Sequence, residues 1–222
     1  MKKILGIFSI IFVLCFIFVL PFLINIKVDC KSQYGSCPQQ IADKLAPMNG
    51  RSLFYAKKTI KNMLKKEYII SDYSLQYKIP NILYVDLLVK KPAITFKNIK
   101  FGSLILVDAE GKVLSNATDS ALPVINTDKE LPKEGQNIGN TELFALNLAT
   151  GVYQMYQVRE FLLQEASLLV ELPSQIRVIF PLDGDARILL GSLRLIYSKI
   201  QSEGNPGKIS QVDLRFTNPV LR

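Results

Sequence analysis

The chain has 222 residues, a formal charge of +8 and no histidine. That excludes a histidine-activated nucleophile and a histidine-ligated metal. Setting aside Lys2 and Lys3 leaves +6, a modest excess that suits anionic lipid heads or an acidic wall polymer.

Ile4 to Ile26 is an uncharged run in which eighteen of 23 residues are Ile, Leu, Phe or Val. A helix of that length spans roughly 30 Å, the thickness of a bilayer's hydrocarbon core. The run therefore predicts a single N-terminal transmembrane helix, 4–26, behind a cytoplasmic tail of residues 1–3. A cleaved secretory signal is the rival reading. Its apolar core would be about 7–15 residues long and end at a small-residue site, but Pro21-Phe22-Leu23-Ile24 stands there instead. Lys2, Lys3 and the α-amino group favour an N-terminus on the cytoplasmic side. The rest is then extracytoplasmic, where nucleic acid is not an expected partner.

Cys30 and Cys37 bracket a short polar loop. Six intervening residues can close a disulfide, and an exported location permits one. Free thiols are the alternative, and zinc is a poor one with two thiols and no histidine. Pro38 opens a short helix with Ile41 and Leu45 on one side. Ser52 can cap a second helix, Leu53 to Lys66. Leu53, Ala56, Ile60, Met63 and Leu64 share one arc of it, and Lys57, Lys58, Lys61 and Lys65 another. These lysines read either as a solvated face or as a contact for lipid or wall polymer.

The period then changes to two. Tyr73, Leu75, Tyr77 and Ile79 alternate with polar residues, Pro80-Asn81 turns the chain, and Leu83, Val85, Leu87 and Val89 form the next strand. With Ile24 to Cys30 as a first strand, the order is strand, helix, helix, strand, strand. From Ala93 the sequence predicts a mostly antiparallel β-domain with two helices. A hairpin turns at Asp108 to Gly111, a loop covers Asn126 to Asn140, and a helix runs from Glu142 to Phe161. Gly151 weakens the middle of that helix. Strands follow at Ser167–Leu172, Gln175–Phe180 and Ala186–Leu190. Gly191 and Ser192 introduce a last helix, and after a turn at Gly204 to Gly207 comes a final strand through Phe216. The fold class is α+β.

Searching for chemistry yields no catalytic, cofactor or metal residues. Ser-x-x-Lys and a glycine-rich phosphate loop are both missing from the sequence. Asp183-Gly-Asp185 is a fragment of a calcium loop without its other ligands, and reads as a turn. Asn116-Ala-Thr118 fits the glycosylation pattern. Asp213 and Arg215, two apart on one strand face, read as a surface ion pair. A non-enzyme without cofactor or small-molecule substrate is expected.

Several motifs in order resemble the bacterial cell-division family FtsQ, also called DivIB. Pro80-Asn-Ile-Leu83-Tyr-Val85-Asp-Leu87-Leu-Val89-Lys-Lys-Pro92 is similar to the hairpin that closes that family's POTRA domain. Leu106-Val-Asp108-Ala-Glu-Gly111-Lys-Val-Leu114 is similar to a β-domain hairpin, and Leu122-Pro123-Val124 to the step after it. Leu190-Gly191 and Val212-Asp213-Leu214-Arg215-Phe216 are similar to the C-terminal signature. Val89 departs from a commonly acidic position, and the cysteine loop is not a general family feature. The resemblance implies a POTRA domain at 27–92 and a β-domain at 93–222. It also implies a non-enzymatic division scaffold at the septum that binds FtsB- and FtsL-like proteins outside the cytoplasmic membrane. Their strand would be added along the last strand, at Phe216, Thr217, Val220, Leu221 and Arg222. A membrane-held POTRA protein that binds extended polypeptides in transport or envelope assembly is the alternative expectation.

Overall fold

The structure is a computed structural model that describes residues 23–202 and 209–222. The chain divides into two compact units, one ending at Lys90 and the other spanning Lys91–Arg222.

The first unit runs β1 (Lys27–Ser32), β2 (Gly35–Ser36), α1 (Gln39–Leu45), a 3-10 turn at Ala46–Met48, α2 (Leu53–Leu64), β3 (Ile70–Lys78) and β4 (Ile82–Val89). Its sheet has the order β2-β1-β4-β3. β1 lies parallel to β4, from Lys27 opposite Ile82 to Ser32 opposite Leu87, and β3 pairs antiparallel with β4. Alternation along β4 turns Leu83, Val85 and Leu87 to one face. There they meet Ile41 and Leu45 of α1 and Ala56, Ile60 and Leu64 of α2. Each large aliphatic side chain buried this way contributes about 1.5–3 kcal/mol. Gly35, at φ +97°, makes the tight β1–β2 turn that a residue with a Cβ resists.

The second unit holds β5 (Ile94–Asn98), β6 (Leu104–Val107), β7 (Val113–Ala117), β8 (Val124–Thr127), α3 (Asn140–Tyr156), β9 (Glu160–Gln164), β10 (Ser167–Glu171), β11 (Arg177–Pro181), α4 (Ala186–Ser202), β12 (Gln211–Asp213) and β13 (Val220–Leu221). Nine strands form one sheet in the order β13-β12-β11-β10-β9-β8-β5-β6-β7. Phe96, Phe161 and Phe180 from three of the strands are buried with Leu146, Leu148, Ala149 and Val152 of α3 and Leu193 and Ile200 of α4.

The expected fold class is corrected in two respects. First, no helix among the described residues is long and apolar enough to cross a membrane. Residues 1–22, which carry the tail and most of the expected 4–26 span, lie outside the described residues. The last residues of that span belong to the first unit instead. Asn25 forms a bridge with Ser52, Ile26 is 1% exposed in the core, and its amide donates to the Arg51 carbonyl at 3.0 Å. Apolarity alone could not separate a membrane residue from a core residue.

Second, the sheet of the second unit is mixed: five of its eight strand pairs are antiparallel, but β5–β8, β8–β9 and β11–β12 are parallel. Ile94, Thr95 and Phe96 are all buried in β5, so that strand shows no alternation to read. Three element boundaries change with it. β8 occupies Val124–Thr127, where a step and the start of a loop were expected. The helix expected to reach Phe161 stops at Tyr156, because Gln157 takes a left-handed φ of 59°, and Phe161 lies in β9. Ala186–Leu190, expected as a strand, opens α4. The Asp185 carboxylate accepts the Arg187 amide at 2.8 Å, which caps that helix. The turn expected at Gly204 to Gly207 lies largely outside the described residues.

Candidate functional site

The two edges of the nine-stranded sheet are treated differently. Along β7 the chain covers itself. The Val113 amide donates to the Gln136 carbonyl, the Gly135 amide to the Val113 carbonyl, and the Ile138 amide to the Gly111 carbonyl, all at 2.9 Å. Lys112 and Asn137 add an isolated bridge. Beyond it the Glu134 carboxylate accepts the Asn116 amide at 2.8 Å and the Asn116 side-chain amide at 3.1 Å. The segment 133–138 thus satisfies donors that an exposed edge would offer to another chain.

At the opposite edge β13 is the outermost strand, and no strand among the described residues pairs with its far side. β13 is antiparallel to β12, with Val212 opposite Leu221 and Asp213 opposite Val220. Arg222 and Gln211 exchange both backbone bonds, at 3.0 and 2.9 Å, and the Ser210 amide also donates to the Arg222 carbonyl at 2.7 Å. In an antiparallel ladder such pairs alternate. Arg222 and Val220 therefore turn their backbone groups toward β12, and the Leu221 N–H and C=O point outward. Pro219 supplies no N–H.

A groove of about 290 Å3 lies beside this edge, lined by Ile196, Lys199 and Ile200 of α4 with Ile209, Pro219 and Leu221. Leu221 is 45% exposed, and Val220 is half-buried. Phe216 and Thr217, expected on the docking strand, lie in the exposed bend between β12 and β13. The edge is thus Val220 to Arg222 with an apolar flank, shorter than the sequence suggests.

The Asp213–Arg215 pair is not the surface pair the sequence suggests. Asp213 ends β12 with a buried carboxylate, while Arg215 sits in the bend. The hydrogen bond from the Arg215 side chain holds the Asp213 carboxyl below its ordinary pKa, so it stays ionised at neutral pH. The pair fixes where the chain leaves β12 before returning as β13.

In the first unit, Cys30 and Cys37 form a disulfide with Cα atoms 5.4 Å apart. They lie directly across the β1–β2 hairpin, next in register after Lys31 opposite Ser36. Lys57, Lys58, Lys61 and Lys65 are exposed on the side of α2 opposite Ala56, Ile60 and Leu64. Asp183 and Gly184 lie in an exposed bend. Among the described residues no three His, Cys, Asp or Glu side chains gather to hold a metal ion.

Sequence reasoning missed Glu134, Gln33 and Asn98. The Gln33 side chain imitates a strand neighbour: its amide donates to the Val89 carbonyl at 2.6 Å, and its oxygen accepts the Val89 amide at 2.9 Å. These partners are 56 residues apart, which no local pattern encodes. An open strand end beside an apolar groove has the geometry that addition of a further strand requires. The sequence matches no protein-family model and no curated protein.

Proposed function

We propose that this chain is a non-enzymatic division scaffold of the FtsQ/DivIB type. It acts outside the cytoplasmic membrane at the septum, binds FtsB- and FtsL-like proteins there, and helps regulate septal wall synthesis. The observation that carries this reading is the contrast between the two edges of the large sheet, one covered by 133–138 and the other open at β13. A partner strand added at Leu221 would gain its outward N–H and C=O, and the groove under Pro219 and Leu221 would take an apolar side chain. The Cys30–Cys37 bond fits an oxidising compartment outside the cytoplasm.

Co-purification of the full chain with FtsB- and FtsL-like partners tests this. Deleting Thr217 to Arg222 is expected to abolish capture, and undiminished capture would remove the edge from the proposal. Cleavage or cross-linking of peptidoglycan by the purified protein would overturn the non-enzymatic reading.

A second reading draws on β3, a nine-residue strand at the edge of the smaller sheet. There an extended polypeptide could pair, as in a POTRA protein of transport or envelope assembly. A fluorescent fusion separates the two: a midcell band supports the scaffold, and uniform signal favours the polypeptide binder.

A further inference from the structure

We propose that β3 is a self-pairing edge, along which two copies of this chain join their smaller sheets antiparallel about a two-fold axis at Leu75. This edge lies in the first unit, apart from β13, and does not rest on the scaffold reading.

β3 is the outermost strand of its sheet, and no strand among the described residues pairs with its far side. Which of its backbone groups are open follows from β4. The Lys27 amide donates to the Asn81 carbonyl at 2.8 Å, and Val89 exchanges backbone bonds with the Gln33 side chain. Odd-numbered residues of β4 thus face β1, and Ile82, Tyr84, Asp86 and Leu88 face β3. Their register partners in β3 bond inward, which leaves the N–H and C=O of Tyr73, Leu75 and Tyr77 pointing outward. The Tyr73 amide agrees with this: it donates to the Asp72 carboxylate at 2.8 Å. An open run of this kind is a template for another strand.

The order of side chains selects a second copy as the occupant. A bulge before Asp72 and the turn at Ile79 and Pro80 bound the regular run 72–78, whose midpoint is Leu75. With the axis there, Tyr73 meets Tyr77 of the second copy as a hydrogen-bonded pair, and Leu75 meets its own equivalent. Asp72 meets Lys78 of the second copy in the closer, non-hydrogen-bonded kind of pair. Symmetry repeats each contact, so the aromatic pair and the oppositely charged pair each form twice.

Asp72 and Lys78 are both exposed, on the sheet face away from the helices. Any other axis position separates them. At Ser74, Lys78 would meet Ile70, and at Gln76, Asp72 would meet Pro80. An unrelated extended polypeptide has no reason to carry both charges in this register. Two terms keep the association reversible. The net charge of +8 makes the copies repel. In the free chain Asp72 also caps the Tyr73 amide, and the Lys78 amine lies 4.4 Å from the centre of the Tyr84 ring. Both contacts are exchanged for the new pair.

The test uses the full chain in mild detergent, which accommodates its apolar run 4–26. Energy transfer between copies labelled with donor or acceptor at the N-terminal amine reads association. The native chain is expected to show transfer that rises with protein concentration and is lost with excess unlabelled chain. Asp72→Lys or Lys78→Asp alone sets like charges opposite each other twice. Each should raise the concentration for half-association about tenfold or more, with unchanged far-ultraviolet circular dichroism. An equimolar mixture of the two variants sets opposite charges together again, as does one chain carrying both substitutions. Each should return the value close to that of the native chain.

Absence of transfer in the native chain would overturn the proposal, as would transfer that neither single substitution moves. A mixture as weak as its two components would also overturn it. So would a chain that stays monomeric while Asp72→Lys alters its binding of a denatured polypeptide such as reduced lactalbumin, which would give β3 to the polypeptide-binding reading.

Discussion

Arg215 grips the carboxylate of Asp213 with two side-chain bonds, Nε to Oδ1 at 2.9 Å and Nη2 to Oδ2 at 2.7 Å. The Asp213 side chain is 4% exposed and that of Arg215 43%, so one partner is buried and the other reaches solvent. The Arg215 amide adds a third bond to Oδ1 at 3.1 Å. Asp213→Asn is expected to cost roughly 1–3 kcal/mol, toward the low end because the guanidinium is half in water. Chemical denaturation at neutral pH measures this.

The same pair sets an acid limb. The folded carboxyl titrates below its ordinary value of 3.8, so the unfolded chain binds the proton first as pH falls. Its contribution is full above that value and is lost as pH drops through the lower, folded one. The stability gap between the native chain and Asp213→Asn should therefore be constant near neutrality and narrow in acid. A gap that stays constant down to the acid unfolding transition would remove Asp213 as its cause.

Gly151 of α3 and Leu190 of α4 touch so closely that a Cβ on Gly151 would lie 2.3 Å from Leu190 Cδ1. Alanine normally gains about 1 kcal/mol over glycine inside a helix. Gly151→Ala alone is expected to gain nothing or to destabilise, while in a Leu190→Ala background it should recover that gain. A double-mutant cycle by thermal unfolding measures this coupling, and additive effects would refute it.

Asn98 is 1% exposed and builds the β5–β6 turn. Its Oδ1 accepts the Lys100 and Phe101 amides at 2.8 and 2.9 Å, and its Nδ2 donates to the Lys129 carbonyl at 2.7 Å. Asn98→Ala should cost about 2–3 kcal/mol and speed amide exchange at Lys100 and Phe101. Asn98→Asp can still accept both amides but cannot donate to Lys129, so it should be intermediate.

Closing the Cys30–Cys37 loop removes chain entropy from the unfolded state and should be worth about 2–3 kcal/mol for so short a loop. Reduction should lower the melting temperature of the first unit. Cys30→Ser with Cys37→Ser should reproduce the reduced value and be insensitive to reductant.

Where a property belongs to neighbouring residues, the sequence by itself determined it. Alternation at Leu83, Val85 and Leu87 marks the buried face of β4, and spacing in α2 separates Ala56, Ile60 and Leu64 from the lysines. The terminal segment was singled out only through the family resemblance, and the structure has its strand at Val220–Leu221. The tertiary structure decided whatever depends on distant partners. Ile26 reads like the apolar residues before it, and only packing against the first unit shows that it belongs to a core. The β8 residues read as a step and the start of a loop until parallel pairing with β5 makes them a strand. Glu134 is an ordinary loop carboxylate until Asn116 lies beneath it, and Asp213 an ordinary strand carboxylate until its side chain is buried. The physical reason is common to all four. Periodicity records which way adjacent side chains point, whereas burial and edge protection depend on groups brought together by the whole fold.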